Sequence, residues 1–115
     1  MRSLLTLLLL ALSAVATAQQ VRMETTITSV FVDPVRHGNC GVLVGERIRD
    51  ATGLDCNGTM VSFSCDGRFH GKDVAYRMLD LAQMAFALEY PVEIEIDDTR
   101  KAAGACVATR ITVND

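Results

Sequence analysis

The feature that most constrains the fold is a long amphipathic helix that leads directly into a strand. Between Asp73 and Glu89 apolar residues recur every three or four positions, which is typical of a helix with one side against a core. Pro91 ends this run, because proline cannot continue a helix. The next residues, 92–97, alternate strictly between apolar and acidic, which predicts a strand with one buried face. Any fold for this chain has to place that helix immediately before a strand.

The rest of the chain has the composition of strands. Segments rich in threonine, valine and isoleucine, several with period-two alternation, lie on both sides of the helix. With the strand after the helix, the predicted strands are 21–32, 40–46, 59–65, 92–97 and 105–113. The longer connections are 47–58 and 98–104. The order is β-β-β-α-β-β, all-β with one helix, which matches the OB-fold, a five-stranded Greek-key barrel.

The first 18 residues have the three parts of a secretory signal peptide. A positively charged start precedes an apolar run from Leu4 to Leu12 and the small residues Ala16 to Ala18. This run is shorter than the roughly 20 residues that a membrane-spanning helix needs. We therefore expect residues 1–18 to be a signal peptide and residues 19–115 to form a single OB-fold domain. The protein is expected to be secreted or periplasmic, without membrane insertion.

Four cysteines follow the predicted signal, namely Cys40, Cys56, Cys65 and Cys106. An even number of cysteines in a small exported domain predicts two disulfides. A zinc site is the alternative, but the chain has no C-x-x-C pair and its histidines lack ligand spacing. Four cysteines can pair in three ways. In the predicted barrel Cys40 and Cys65 lie on one hairpin. Cys56 and Cys106 lie beside the third and fifth predicted strands, which are parallel neighbours in an OB-fold. This order favours Cys40–Cys65 with Cys56–Cys106.

The charge of the chain argues against two classes of partner. There are 11 basic and 14 acidic residues, a net charge of −3. Nucleic acids and anionic membranes both require a basic face, so we expect neither as a partner. The absence of tryptophan and the 5% content of aromatic residues also argue against a platform for stacking bases.

No catalytic motif stands out, so we expect a binding protein rather than an enzyme, without cofactor or metal. His37 and His70 would need a free thiol to act in a Cys-His hydrolase, and the cysteines are expected to be paired. An acidic row could suggest a carboxylate pair or a calcium site. Its members mostly alternate along one strand, which favours a solvated or inter-subunit face. The row consists of Glu93, Glu95, Asp97 and Asp98.

Two regions are candidates for binding. Arg47, Arg49 and Asp50 lie in the long connection and could hold a polar ligand, although exposed loop charges are the ordinary alternative. The apolar arc of the predicted helix is wider than one barrel end requires. Its methionines would add adaptable surface. Two interpretations follow. The whole arc packs on the core, loosely at its edges, or part of the arc is an oligomer interface. The candidate interface residues are Met78, Met84 and Leu88.

One stretch resembles a known family. The run MLDLAQMAFALEYPVEIEI, residues 78–96, resembles the helix-to-strand passage in the B subunits of subtilase cytotoxin and its pertussis-like and typhoid-toxin relatives. The stretch TTITSV with Cys40 resembles their first strand and the cysteine of their second, and Cys65 falls at the partner cysteine. The resemblance implies an exported OB-fold assembled as a ring of five. It also implies binding of cell-surface glycans and a separate catalytic A chain. It carries over no ligand-contacting residue.

We therefore predict a secreted, non-enzymatic binding subunit that resembles a toxin B subunit and recognises cell-surface glycans as a homo-oligomer. Two alternatives from other classes stay open. The first is a free-standing periplasmic or secreted OB-fold module, an accessory protein or inhibitor with no toxin partner. The second is a small secreted hydrolase. The oligomeric state separates the first alternative from the prediction.

Overall fold

The computed structural model describes residues 20–115, so the predicted signal peptide, residues 1–18, lies outside the described residues. The elements in chain order are β1 (Gln20–Thr25), β2 (Ile27–Val32), a 3-10 turn (His37–Asn39), β3 (Cys40–Val44), α1 (Ile48–Thr52), β4 (Met60–Ser62), α2 (Lys72–Leu88), β5 (Val92–Ala102) and β6 (Ala105–Val113). Strands dominate, and α2 is the one long helix of this part of the chain. The prediction of a mostly β protein with one main helix is confirmed.

The strands form a single sheet whose two ends come from one continuous segment. The strand order is β1-β5-β6-β4-β3-β2, with β4 and β6 parallel and all other neighbours antiparallel. Only Thr26 separates β1 from β2, yet these strands lie at opposite ends of that order. Because adjoining residues cannot lie far apart, the sheet has to curl until its ends meet. The predicted strand 21–32 is therefore two strands, each paired with a different neighbour.

The core lies between the inner side of this curled sheet and one side of α2, which contacts β2, β3 and β6. On β5 the alternation predicted from the sequence places Ile94 and Ile96 inside, fully buried, and Glu93 and Glu95 outside. Small residues on the inner side of α2 let the helix approach the strands closely. The buried residues of α2 are Ala75, Met78, Leu79, Ala82 and Ala85.

The helix boundaries agree with the prediction within one residue. α2 begins at Lys72 and ends at Leu88, where Glu89 adopts a left-handed conformation with a φ of 56°. The N–H of Glu89 donates to the carbonyls of Ala85 and Phe86, which satisfies part of the helix end. No helix among the described residues is long and apolar enough to cross a membrane.

The connection predicted at 47–58 contains a short helix that the sequence pattern did not indicate. α1 occupies Ile48–Thr52, and the side chain of Ile48 is completely buried. Leu54, just after α1, is buried as well. Two apolar anchors therefore attach this connection to the core, and its charged residues face outward.

β3 and β4 are shorter than predicted, Cys40–Val44 and Met60–Ser62 instead of 40–46 and 59–65. Ser64 lies beyond the end of β4 with a φ of 57°, a conformation that cannot continue a strand. Its N–H donates to the Ser62 hydroxyl at 3.1 Å, and its own hydroxyl donates to Asp66 at 2.6 Å. Local side-chain hydrogen bonds, which the apolar pattern does not reveal, thus end the strand.

β5 continues through the predicted turn at 98–104 as far as Ala102, and this overturns one assignment in the acidic row. The sequence predicts Asp97 on a solvated or inter-subunit face, but it is only 2% exposed within its own chain. Its carboxylate accepts hydrogen bonds from the N–H and hydroxyl of Thr99, at 2.8 and 2.6 Å, and lies 3.4 Å from Arg100 Nε. The register with β6 shifts between Asp97 and Lys101. Asp97 therefore holds an irregular stretch of β5 in place.

Replacing Asp97 by asparagine is expected to lower the free energy of unfolding at pH 7 by about 1–3 kcal/mol, as for other buried hydrogen bonds to a charged group. Burial acts to raise the pKa of Asp97, but the hydrogen bonds from Thr99 and the charge of Arg100 lower it overall. A carboxylate whose pKa is lowered by folding stabilises the protein above its unfolded pKa of about 3.9. That stabilisation disappears as the pH falls through the lower, folded value.

Urea unfolding of wild-type and Asp97→Asn protein between pH 7 and pH 2 measures this effect. The difference in unfolding free energy between the two proteins should decrease as the pH falls below about 4. The matched control is Asp98→Asn, next to Asp97 on the same strand, which we expect to change stability by less than about 0.5 kcal/mol. Equal stability of the Asp97→Asn variant and the wild type at pH 7 would contradict this role for Asp97.

Two disulfides join Cys40 to Cys65 and Cys56 to Cys106, with Cα–Cα distances of 5.5 and 5.4 Å. This is the pairing that the predicted strand order favoured, and the zinc alternative is wrong because all four sulfurs are in disulfides. The first bond ties the start of β3 to the segment after β4. The second ties the segment after α1 to β6. Such bonds indicate an oxidising environment outside the cytoplasm.

Candidate functional site

One candidate site is an apolar stripe on α2 that residues 20–115 leave uncovered. Its four side chains are between 39% and 54% exposed. They are spaced by seven, three and four residues, so they lie along one side of the helix. We call them the outer stripe of α2, defined as Val74, Leu81, Met84 and Leu88.

The outer stripe revises the interface predicted from the sequence. Met84 and Leu88 belong to it, but Met78 is only 5% exposed and packs in the core, so it is not available to a partner. Val74 and Leu81 belong to the same apolar period of the helix and are exposed as well. The apolar period showed how wide the arc is. The rotation of the helix about its own axis decides which part of that arc is covered.

Two opposite charges border the outer stripe. Arg77 and Asp80 line a shallow cavity of about 400 Å³ together with Leu81 and Met84. Neither charged residue forms an ion pair within residues 20–115. An exposed apolar stripe with an unpaired cation and an unpaired anion at its edge is a surface suited to a protein partner that carries the complementary pattern.

A second candidate site lies beside α1. The residues Arg47, Arg49 and Asp50, predicted to hold a polar ligand, do line one cavity, which has a volume of about 260 Å³. Asn57 and Gly58, which the sequence did not single out, form another wall of it. We call this space the arginine cavity. Only the folding of the 47–58 connection around α1 brings these residues together.

The charges around the arginine cavity are unevenly paired. Asp55 forms ion pairs with Arg49 and with Lys101, the latter at 3.2 Å. Hydrogen bonds from Lys101 and Arg49 lower the pKa of Asp55, so this carboxylate stays ionised. Arg47 has no carboxylate within ion-pair distance among the described residues. Asp50, which lines the same cavity, is also absent from every ion pair of the described residues, so the cavity presents one unpaired guanidinium and one unpaired carboxylate.

An apolar groove adjoins the arginine cavity. It has a volume of about 290 Å³ and shares the wall formed by Asn57 and Gly58. Its floor includes Leu43 and Met60, which are directly opposite each other on β3 and β4 and only half-buried. The alternation of the strands turns these side chains to the outside of the sheet. We call this space the apolar groove.

The two histidines have separate surroundings. The His37 carbonyl accepts a hydrogen bond of 2.7 Å from the Ser62 hydroxyl, and its ring lies at the edge of the apolar groove. Nε2 of His70 lies against the carbonyl oxygen of Phe63. All four cysteines are in disulfides, so neither histidine has a thiol to activate. Among the described residues no group of three His, Cys, Asp or Glu side chains is placed to hold a metal ion.

Glu93 and Glu95 of the acidic row lie on the outer face of β5, and Asp98 is half-buried on the same strand. Arg22, on β1, places its Nε 3.1 Å from Glu95 and 3.9 Å from Glu93. The Glu95 side chain also accepts a hydrogen bond from the hydroxyl of Thr109 on β6, at 3.2 Å. These contacts link neighbouring strands across the outer face of the sheet. They are cross-strand pairs of the kind that stabilise a sheet.

Comparison with known proteins adds no assignment. No protein-family model, no curated protein and no solved structure matches this chain. Similarity therefore supplies no function, and a functional conclusion has to rest on the outer stripe, the arginine cavity and the apolar groove.

Proposed function

We propose that this protein is a secreted, non-enzymatic binding subunit that assembles with copies of itself through α2. The observation that carries the proposal is the outer stripe. Large apolar side chains on a folded surface mark interaction sites when they are contiguous. Val74, Leu81 and Leu88 are spaced by seven residues, the repeat with which helices pack along one another.

The charges at the edge of the stripe favour a second copy of the chain as the partner. Arg77 of one copy can face Asp80 of a second copy, so each copy supplies one cation and one anion to the contact. Because both residues border the same stripe, this contact uses one patch on both copies, which is an isologous contact about a two-fold axis. The ring of five is implied by the resemblance to toxin B subunits and would need a second, different patch.

We further propose that the domain is an OB-fold barrel. In this interpretation β1 and β2 form one bent strand, which gives five strands in total. The strand order, the parallel pair β4 and β6, and the position of α2 between β4 and β5 all support it. Recognition of a cell-surface glycan and pairing with a catalytic A chain come from the resemblance carried by residues 78–96.

Light scattering of the exported chain across the micromolar range tests the assembly. We expect a mass several times that of one subunit. Replacing Leu81 and Leu88 together by glutamine should raise the dissociation constant at least about tenfold, because apolar surface no longer leaves water on assembly. The matched control is Tyr76→Gln, an exposed apolar residue on another side of α2, which should leave the mass unchanged.

A monomeric wild-type protein across this range would overturn the assembly. That result would favour the free-standing OB-fold module. One observation supports this alternative, since a single chain supplies all the lining residues of the arginine cavity and the apolar groove. Glycan recognition has its own test, a binding screen with immobilised glycans. An oligomer that binds none of them would remove the glycan role and retain the assembly.

A further inference from the structure

We infer that the arginine cavity and the apolar groove are two halves of one binding site for a small ligand that carries a carboxylate beside an apolar face. The two spaces share the wall formed by Asn57 and Gly58. Taken together, they fall within the size range of small-molecule sites, roughly 300–1,000 Å³. The site lies apart from the outer stripe of α2, and so it does not depend on assembly.

The carboxylate belongs in the arginine cavity. The five charged side chains in and around it leave an excess of one positive charge, since Arg47, Arg49 and Lys101 face Asp50 and Asp55. Arg49 and Lys101 are both engaged by Asp55, whereas Arg47 is not paired with a described carboxylate. A planar guanidinium can donate two parallel hydrogen bonds to one carboxylate. Arg47 is therefore the residue that would hold the acid group.

The apolar face belongs on Leu43 and Met60. These side chains are half-buried and stand next to each other on the outside of β3 and β4. On the neighbouring strand β2, the ring of Phe31 lies close against Gly41 of β3. A Cβ at Gly41 would lie 2.9 Å from that ring and 2.1 Å from a backbone oxygen, so only glycine permits this close packing. Leu43 and Met60 thus provide an apolar floor in a groove that shares a wall with the cavity of Arg47.

The shared wall is held in place before any ligand arrives. Cys56, next to Asn57, is bonded to Cys106 of β6. The N–H of Asn57 donates to the carbonyl of Gly104 at 3.4 Å, in the turn between β5 and β6. Two connections, to the turn before β6 and to β6 itself, thus fix the wall, and a preformed site loses less entropy when it binds.

The inference is tested by titrating the ¹⁵N-labelled exported chain with 2-naphthoate and following its backbone amide signals. We expect shifts concentrated at Leu43, Asn57, Gly58 and Met60. The uncharged analogue 2-naphthylmethanol should bind at the same place but more weakly. Shifts concentrated on the outer stripe of α2, or spread over the whole surface, would overturn the inference.

Variants separate the two halves of the site. Arg47→Gln should weaken 2-naphthoate roughly tenfold or more, the loss expected when a charge-assisted hydrogen bond is removed. The same variant should leave 2-naphthylmethanol unchanged, and Met60→Ser should weaken both compounds. The matched control is Arg110→Gln, an exposed arginine on β6, which should have no effect. Equal binding of 2-naphthoate to wild type and Arg47→Gln would overturn the role of Arg47.

Two further binding experiments relate this site to the proposed function. The Leu81→Gln and Leu88→Gln double variant should bind 2-naphthoate as the wild type does, so a failure of assembly and a failure of this site are distinguishable. Glucuronate, a sugar acid, presents the same carboxylate on a saccharide. Shifts at Asn57 and Gly58 with glucuronate would locate saccharide recognition at this site, whereas shifts with 2-naphthoate alone identify a site for aromatic acids.

Discussion

Removing the disulfide between Cys56 and Cys106 by replacing both residues with alanine is expected to lower the free energy of unfolding by about 4 kcal/mol. The bond joins residues 50 positions apart. In the chain-entropy model, opening a loop of that length increases the conformational entropy of the unfolded chain and stabilises it by about this amount. Small domains have roughly 5–15 kcal/mol of stability in total, so this loss would leave the fold marginal.

Thermal and urea unfolding of the double variant under non-reducing conditions measure this loss. The comparison needs a fixed protein concentration, since self-association would also stabilise the folded state. Treating the wild type with a reductant opens both disulfides, so it should destabilise the protein more than the double variant does. Unchanged stability of the variant would show that the bond does not constrain the unfolded chain.

Replacing Phe63 by alanine is the second large effect that we expect, a loss of about 3–5 kcal/mol. Phe63 follows β4 and is one of the largest side chains with no exposed surface. Its truncation removes a buried ring from contact with the core and leaves a cavity that the surroundings fill only in part. The disulfide between Cys40 and Cys65 also limits how far the segments on either side of Phe63 can move to close that cavity.

Phe86→Ala provides the matched control, because Phe86 has the same side chain but is 46% exposed on α2. Urea unfolding of both variants at one protein concentration should give a much smaller loss for Phe86→Ala, below about 1 kcal/mol. Losses of similar size in the two variants would contradict the placement of Phe63 in the core. The contrast does not depend on any functional proposal.

The candidate sites differ in how far the sequence could predict them. Arg47, Arg49 and Asp50 lie within four positions of one another, and that proximity sufficed to suggest a polar site. The sequence did not predict Asn57 and Gly58 as site residues, because nothing in their local sequence relates them to α1. Leu43 and Met60 also escaped notice, because alternation along a strand separates two faces without telling which face is inside.

The same limit applies to the strands. The threonine-rich segment at 21–32 has a clear strand composition, and the structure confirms that it is extended. Its division at Thr26 depends on pairing with β5 on one side and β3 on the other, and both partners lie far along the chain. The continuation of β5 to Ala102 likewise depends on β6 and on the hydrogen bonds of Asp97.

The sequence by itself determined the features whose signals are local: the helix predicted at 73–89, the alternating strand that follows it, and the presence of two disulfides among four cysteines. Only the tertiary structure decided which side of α2 is covered, and hence that Met78 is core while Val74 and Leu81 are exposed. The physical reason is that periodicity specifies the width of an apolar arc. Its orientation depends on packing against distant strands, and a modest rotation about the helix axis changes every contact without changing the period.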